Sequence, residues 1–341
     1  MSTMREVAHA AGVSIKTVSR VVNGDRYVTE PVQDRVRAAI ETLGYVPNLA
    51  ARTLRTGREA AIGVAVPQIT DPFFAAVVQA VEDAARPRGA AVIVTSYGND
   101  AEAEQSATEA LLSRQVSGLI SVPVAADQSY LRSWQAKVPM VFIDRRPQGI
   151  VADSVVEDDV TGARQAVEHL LAHGHRDVAI LGDPPEVPTA GRRLEGYRAA
   201  LAAAGIAERP DLVCTAPTVS ADPLPHLRRL LAGKRAPTAV FSANARCSLG
   251  VIPALQRLGR TDVAVISYGD FAMAQALVPA VTVVRQDPQA LGEFAVARLM
   301  QRVDQPTARL RRHTVLPVRM ELRQSCGLGA RDRCLTAVAT P

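Results

Sequence analysis

Seven short apolar runs, set among stretches of helical periodicity, constrain what the chain beyond Ala60 can become. The runs are AIGVAVP (61–67), AAVIVTS (90–96), GLISVPV (118–124), PMVFID (139–144), VAILG (178–182), TAVFSAN (238–244) and DVAVISYG (262–269). Helical patterns lie near residues 73–86, 101–114, 158–172, 190–204, 222–232, 246–258 and 288–303. A strand that is apolar along nearly its whole length is buried on both faces. Such strands, separated by helices, imply parallel sheets with helices on either side. At about 270 residues this section is large for a single doubly wound sheet. Two similar α/β lobes fit better, with a ligand cleft where the carboxyl ends of the strands meet.

The first 58 residues have a different texture. From Met4 the chain reads MREVAHAAGVSIKTVSRVVNG, two short helical segments around Gly12. Ala8 and Ala11 let a second helix approach closely, Gly12 tolerates a positive φ, and Ser14 can cap the helix that follows. In that helix Val18, Val21 and Val22 fall on one side, and Ile15, Lys16, Ser19, Arg20 and Asn23 on the other. This is the helix-turn-helix pattern, whose second helix enters the DNA major groove. An ordinary surface helical hairpin is the alternative. A third helix is expected after Thr29, with Pro31 in its first turn, Val36, Ala39, Ile40 and Leu43 at helical spacing, and Gly44 at its end. Residues 1–47 would thus form a small three-helix head. The next stretch, NLAARTLRTGRE, allows Asn48 to cap a short helix carrying Ala51 and Leu54 beside Arg52 and Arg55. So short a helix is unstable alone in water and needs a twin in a dimer, or DNA, to pack against. A plain interdomain linker would also fit residues 48–58.

Charge separates the two regions in the same way. Residues 1–58 hold nine Lys/Arg against five Asp/Glu, and the remaining 283 residues hold 30 against 29. A basic head on a nearly neutral body is the electrostatic footprint of a duplex-binding module.

Other classes are disfavoured. No run approaches the roughly 18 apolar residues of a membrane span, and no apolar secretion signal opens the chain, so a cytoplasmic, nucleoid-associated protein without membrane contact is expected. Cys214, Cys247, Cys326 and Cys334 are scattered, arguing for reduced thiols rather than a disulfide framework or zinc site. His169, His173 and His175 are close in sequence, but Gly174 interrupts them between a helix end and a strand start, which favours structural roles over a metal site. The phosphate-binding, nucleophile-elbow, zinc-protease and dinucleotide motifs are missing. No enzyme, cofactor or metal is therefore expected. A free-standing transport receptor would suit the body but not the basic head. An effector-independent DNA-binding architectural protein would suit the head but leave the body unused.

From about Met4 to about Arg323 the chain resembles the lactose/galactose-repressor (LacI/GalR) family. The motifs VAHAAGVSIKTVSRVVNG, GYVPNLAARTLRTG, IGVAVPQITDPFF and RRLEGYRAAL occur in the family's order. The resemblance implies a dimeric transcription factor, usually a repressor, that binds a palindromic operator. Its body would have the fold of periplasmic sugar-binding proteins, two lobes joined by three crossover strands. The body would occupy 59–325: an N-lobe of about 60–160 plus 290–318 and a C-lobe of about 161–289 plus 319–325. Residues 326–341, which lack periodicity, would be a disordered tail.

Carried onto this sequence, the resemblance implies that Ile15 and Lys16 choose the operator and that Thr17, Ser19 and Arg20 touch phosphates or bases. Ser14, Asn23, Asn48 and Ala51 complete the expected DNA-contacting set. Leu54 matches the leucine that wedges into the minor groove and kinks the duplex. The chemistry agrees: Lys16 and Arg20 can donate to guanine, and Ile15 can meet a thymine methyl. For a sugar-like or other polar effector, the implied contacts are Phe73, Phe74, Ser121, Asp144, Arg193, Asn244 and Asp270. At least one of the two phenylalanines could simply be core, and Asp144 and Arg193 could form a surface ion pair. The chain departs from the family's G-F-D-D pattern at Ser267-Tyr268-Gly269-Asp270, where the first carboxylate becomes Gly269. Asp270 would substitute for it, or the ligand differs from a standard hexose. Ala245 likewise replaces the usual acidic residue after Asn244. No leucine-rich tetramerisation tail is visible, so a dimer is expected.

Overall fold

The computed structural model describes residues 3–22, 27–43, 61–216, 219, 221–305 and 308–327. The chain divides into two compact units, Met1–Glu59 and Ala60–Pro341. In the first, α1 (Met4–Ala11), α2 (Ile15–Val22) and α3 (Glu30–Leu43) enclose Val7, Ala8, Ala11, Val18, Val36 and Ala39. Thr3 and Glu6 form a reciprocal capping box at the start of α1, and Gly12 ends it at φ +64°. Ser14 then accepts the Thr17 N–H at 3.1 Å, opening α2.

The second unit contains two six-stranded sheets. The N-lobe sheet is built from β1 (Ala61–Val66), β2 (Ala91–Ser96), β3 (Gly118–Ser121), β4 (Met140–Ile143), β5 (Asp153–Glu157) and β11 (His313–Leu316). Its order is β11-β5-β4-β3-β1-β2, all parallel. The C-lobe sheet holds β6 (Val178–Gly182), β7 (Val213–Thr215), β8 (Ala239–Ser242), β9 (Ala264–Tyr268), β10 (Thr282–Arg285) and β12 (Arg319–Glu321). Its order is β12-β10-β9-β8-β6-β7, parallel except for β12.

Alternation along the strands explains why both faces are covered. On β1, Ile62, Val64 and Val66 join the core under α4 (Pro72–Ala85), to which α11 (Pro288–Asp304) also contributes. Ala61 and Ala65 face the other way, toward Tyr97, Leu111 and Phe142. Gly63 lies on that face under α5 (Ala101–Leu112), where a Cβ would stand 2.9 Å from the Leu111 side chain. One helical turn, α6 (Arg132–Gln135), follows β3. In the C-lobe, Ile180, Phe241, Ile266 and Tyr268 pack with α7 (Asp159–Ala172) and α8 (Pro188–Ala203). Leu181, Val240, Val265 and Val283 face α9 (Leu224–Leu231) and α10 (Ala245–Arg257). The lobes are joined at three crossovers: β5 into α7, β10 into α11, and β11 into β12.

All seven apolar runs are strands, but β5, β7, β10, β11 and β12 were not anticipated. The buried strand β5 reads DSVVE, and its polar residues mask it in the sequence. Asp153 is 2 % exposed and is held by Arg302 at 2.6 and 3.0 Å and by Arg298 at 3.3 Å, both from α11. Ser154 meets His313 of β11 at 2.9 Å. The expected tail also begins too early. Cys326 is buried, and its carbonyl accepts a hydrogen bond from His175 at 3.1 Å, so the packed body extends through it; residues 328–341 lie outside the described set.

Losing one member of a buried charge group leaves the others uncompensated. Asp153→Ala is therefore expected to destabilise the body by about 3–5 kcal/mol, read as a lower urea midpoint with an unchanged slope.

Candidate functional site

In the head, α2 presents Ile15, 45 % exposed, together with exposed Ser14, Lys16 and Arg20 and half-buried Thr17. The Ser14 and Thr17 hydroxyls meet at 2.9 Å at the helix start. Ser19 departs from expectation. It is 7 % exposed beside fully buried Val18, so it belongs to the buried flank of α2 rather than to its outer face. Asn23, Asn48, Ala51 and Leu54, with the whole 48–58 segment, lie outside the described residues.

In the body, a cleft between the lobes is assembled at strand carboxyl ends. Its inner chamber, about 480 Å³ including the mouth, is lined by Asp71, Phe73, Phe74, Asp144, Arg193 and Asn244, among others. Phe73 and Gln286 also line a wider outer chamber that reaches Gly269 and Asp270.

Arg193 is placed by three partners. Its Nε donates to Asp159 at 2.7 Å, Nη1 donates to the Ala243 carbonyl at 2.8 Å, and the guanidinium lies 3.9 Å above the Tyr268 ring. It is 6 % exposed, so the surface ion-pair alternative does not describe it. Asp144 caps the end of β4 at φ +63°, a left-handed conformation that aspartate tolerates better than most residues. Burial pushes its pKa up to about 6, although the Arg145 guanidinium at 3.3 Å opposes the shift. Asn244 is the N-cap of α10: its Oδ1 accepts the Cys247 N–H at 2.7 Å, and its Nδ2 donates to Asp183 at 2.9 Å.

Phe73 borders both chambers, edge-on to Phe74 at 5.2 Å. Phe74 is 6 % exposed and belongs mainly to the N-lobe core. The remaining two expected contacts are set apart. Ser121 is buried in β3 and lines neither chamber. Asp270 reaches the outer chamber, but both of its oxygens accept from Arg323, at 3.1 and 2.9 Å.

Several cleft residues were not anticipated. Asp71 caps α4 by accepting the Phe73 N–H at 3.0 Å, and burial raises its pKa. Asp183 follows β6 as Asp144 follows β4, a strand-end position that could have flagged it. It pairs with Arg246 at 2.7 Å, and Arg246 reaches Gln68 of the N-lobe at 3.5 Å, bridging the cleft. Gln286 follows β10, which the apolar pattern did not reveal. The histidines are structural: His175 bridges Thr238 and the Cys326 carbonyl, and His173 donates to the His169 carbonyl. Burial pushes His169 down to about 4.

Residues 3–48 match the model of bacterial regulatory proteins of the lacI family, and residues 167–326 match a periplasmic binding protein-like domain. The ribose operon repressor of Escherichia coli (strain K12) is 32 % identical over 326 residues, covering 94 % of this chain and 99 % of that protein. The chain belongs to the LacI family. The crystal structure of the lac repressor dimer bound to operator and the anti-inducer ONPF superposes with a TM-score of 0.81 at 29 % identity, covering 96 % of this chain and 99 % of that one. A LacI family regulator from Enterococcus faecium with bound ribose aligns at a TM-score of 0.71 and 26 % identity, over 78 % of this chain and 98 % of that one. As a LacI family protein, the chain is an effector-regulated DNA-binding repressor. Among the described residues no helix is long and apolar enough to cross a membrane.

The Asp144 shift fixes a pH dependence. Its folded pKa of about 6 lies above the ordinary aspartate value of 3.8, so the folded state binds more protons between these values. The stability associated with Asp144 is complete below pH 3.8, falls as pH rises to about 6, and is level above that. Asp144→Asn is expected to remove this component, seen as a wild-type minus variant difference in Tm that changes between pH 4 and 6.5 and is flat between pH 7 and 8.

Proposed function

We propose that this repressor holds palindromic operator DNA as a homodimer through α2 and the 48–58 segment, and releases or tightens it when a polar metabolite occupies the interlobe cleft. In this reading Lys16 and Arg20 donate to base edges or phosphates, Ile15 contacts a thymine methyl, and Ser14 and Thr17 anchor the backbone. Asn23, Asn48 and Ala51 add contacts, and Leu54 wedges the minor groove. Ser19, being buried, supports the helix instead. Regulation rather than catalysis is the role, and acting on DNA places the protein at the nucleoid.

The reading is carried by one observation: a helix with an exposed Ile15, Lys16 and Arg20 shares its chain with a cleft in which Arg193 is held rigidly. Arg193 offers its remaining N–H groups as donors. Asp71 and Asp144 offer acceptors, and the Phe73 ring offers an apolar face. Alternating donors, acceptors and a ring face suit a polyhydroxylated ligand. The ribose-bound relative from Enterococcus faecium and the E. coli ribose operon repressor make pentoses the first class to test. A ligand that binds the two lobe arrangements with different affinity shifts their populations, and a differential of about 1–3 kcal/mol changes operator affinity roughly 5- to 150-fold.

Selection of operator from a random duplex pool by the purified protein, repeated with pentoses, hexoses, cellobiose and purine bases, tests the proposal; no enrichment over scrambled competitor would end it. In variant protein confirmed folded, since Asp159 loses its buried counter-charge, Arg193→Ala is expected to abolish the metabolite response while leaving operator affinity largely intact, measured by fluorescence anisotropy. Operator affinity of the wild type should fall steeply with added salt, as phosphate contacts require.

A further inference from the structure

Glu157 is the last residue of β5 and the first step of the first crossover. It is 3 % exposed, and among the described residues no guanidinium or ammonium pairs with it. Its Oε1 accepts the Asp287 N–H at 2.8 Å, and its Oε2 accepts from Gln286 Nε2. Both donors belong to the second crossover. The next residue, Asp158, donates its N–H to the Leu316 carbonyl at 3.0 Å, at the mouth of the third. One buried carboxylate therefore sits where the connections between the lobes converge.

An ionised carboxylate only accepts hydrogen bonds. While Glu157 is charged, the Gln286 amide has one sensible orientation: –NH₂ toward Glu157 and Oε1 away from it. That oxygen points toward Gly269, where a Cβ would stand 3.0 Å from it. Gln286 lines both cleft chambers. A neutral acceptor thus occupies the space that a side chain at position 269 would fill.

We propose that Glu157 is a positioning residue, holding Gln286 so that its amide oxygen meets a hydroxyl or N–H of the effector, and that protonating Glu157 releases this orientation and loosens the tie between the first two crossovers. The inference rests on the regulator reading given above. The surroundings of Glu157 support ionisation in the neutral range. Asp144 from β4, Asp159 from α7 and Tyr268 from β9 face it, and Asp287 presents its backbone. Arg193 of α8 is engaged with Asp159 instead. Burial pushes the Glu157 carboxyl up to about 7; the two carboxylates add to this, while the Gln286 and Asp287 bonds hold it back. Below that value the group becomes a donor, and Gln286 can turn over.

The substitution chemistry separates positioning from mere support. Glu157→Gln keeps one acceptor for Asp287 but replaces the other oxygen with –NH₂, which obliges Gln286 to flip and present a donor to the cleft. Adding Gln286→Glu restores an oxygen facing the cleft, because the new carboxylate accepts from the introduced amide.

The test has two arms, both on the full chain. In the first, protein carrying ¹³Cδ-glutamate is titrated by NMR without any ligand. One carboxyl is expected to titrate near neutrality and to vanish in Glu157→Gln; finding every glutamate midpoint below about 5.5 overturns the proposal. In the second, D-ribose is the calorimetric probe at pH 6.5 and 8. Affinity should be greater at pH 8 in the wild type, about ten-fold weaker in Glu157→Gln with only the smaller pH dependence that Asp144 contributes, and substantially recovered in the double variant. Unchanged ribose affinity in Glu157→Gln, or no recovery in the double variant, overturns the role. If ribose fails to bind even the wild type, that counts against pentose as the effector class, and the second arm is run with the hexoses, cellobiose and purine bases of the operator-selection panel; a member that binds wild type and Glu157→Gln equally overturns the role.

Discussion

Parallel strands covered by helices on both faces leave polar side chains few places in the body except the strand ends. β1, β3, β4, β6, β8 and β9 are buried along their whole length, so the chemistry of this molecule gathers where they stop. Asp144 follows β4, Asp183 follows β6, and Asn244 follows β8 within two residues. Because two such sheets meet end to end, the strand ends face each other across one cleft. The apolar cores thus dictate the site as well as the fold.

Much of this was legible beforehand, for a physical reason. A strand that needs no polar residue announces itself as an apolar run, and all seven such runs became strands. The strands that escaped notice carry polar groups with distant partners. Asp153 in β5 looks like a loop residue until Arg298 and Arg302 are brought to it from almost 150 positions away. The edge strands β7, β11 and β12 are only three or four residues long and incompletely buried, so no pattern accumulates. The cleft was half visible for the same reason. Asp144 and Asn244 end recognisable apolar runs and Arg193 lies in a recognisable helical pattern, whereas Gln286 and Glu157 hang on strands that could not be read. Ser121 and Ser19 differ again: the family resemblance implied contact for both, and both are buried in the free chain.

The electrostatics of the body fall into two kinds. Asp153 and Asp159 are buried against guanidiniums that lie within 2.7 Å, an arrangement that fixes geometry and resists change. Asp144 and Glu157 are buried and Asp71 half-buried, all with less compensation, and desolvation raises the pKa of each. The first kind locks α11 to β5 and Arg193 to α7. The second kind lies on the N-lobe wall of the cleft, at Asp71 and Asp144, and at the first crossover, at Glu157. A structure that only needed stability would not place poorly compensated carboxylates there, because each costs desolvation energy that a paired or apolar side chain would avoid.

That placement has a consequence for how a ligand could act. The gap between lobe arrangements must be small if a metabolite is to shift it, since a ligand contributes only its differential affinity. Arg246, anchored in the C-lobe by Asp183, reaches Gln68 across the cleft at 3.5 Å, a long and weak contact. The convergence of the crossovers on Glu157 is the stronger tie, but it relies on a charge that burial opposes. A cleft held by one marginal bridge and one desolvated carboxylate is easier to bias than one closed by paired ions. A ligand that supplies donors to Asp71 and Asp144 would relieve unfavourable burial on the N-lobe, and one that also meets Gln286 of the C-lobe would couple that relief to the relative position of the lobes.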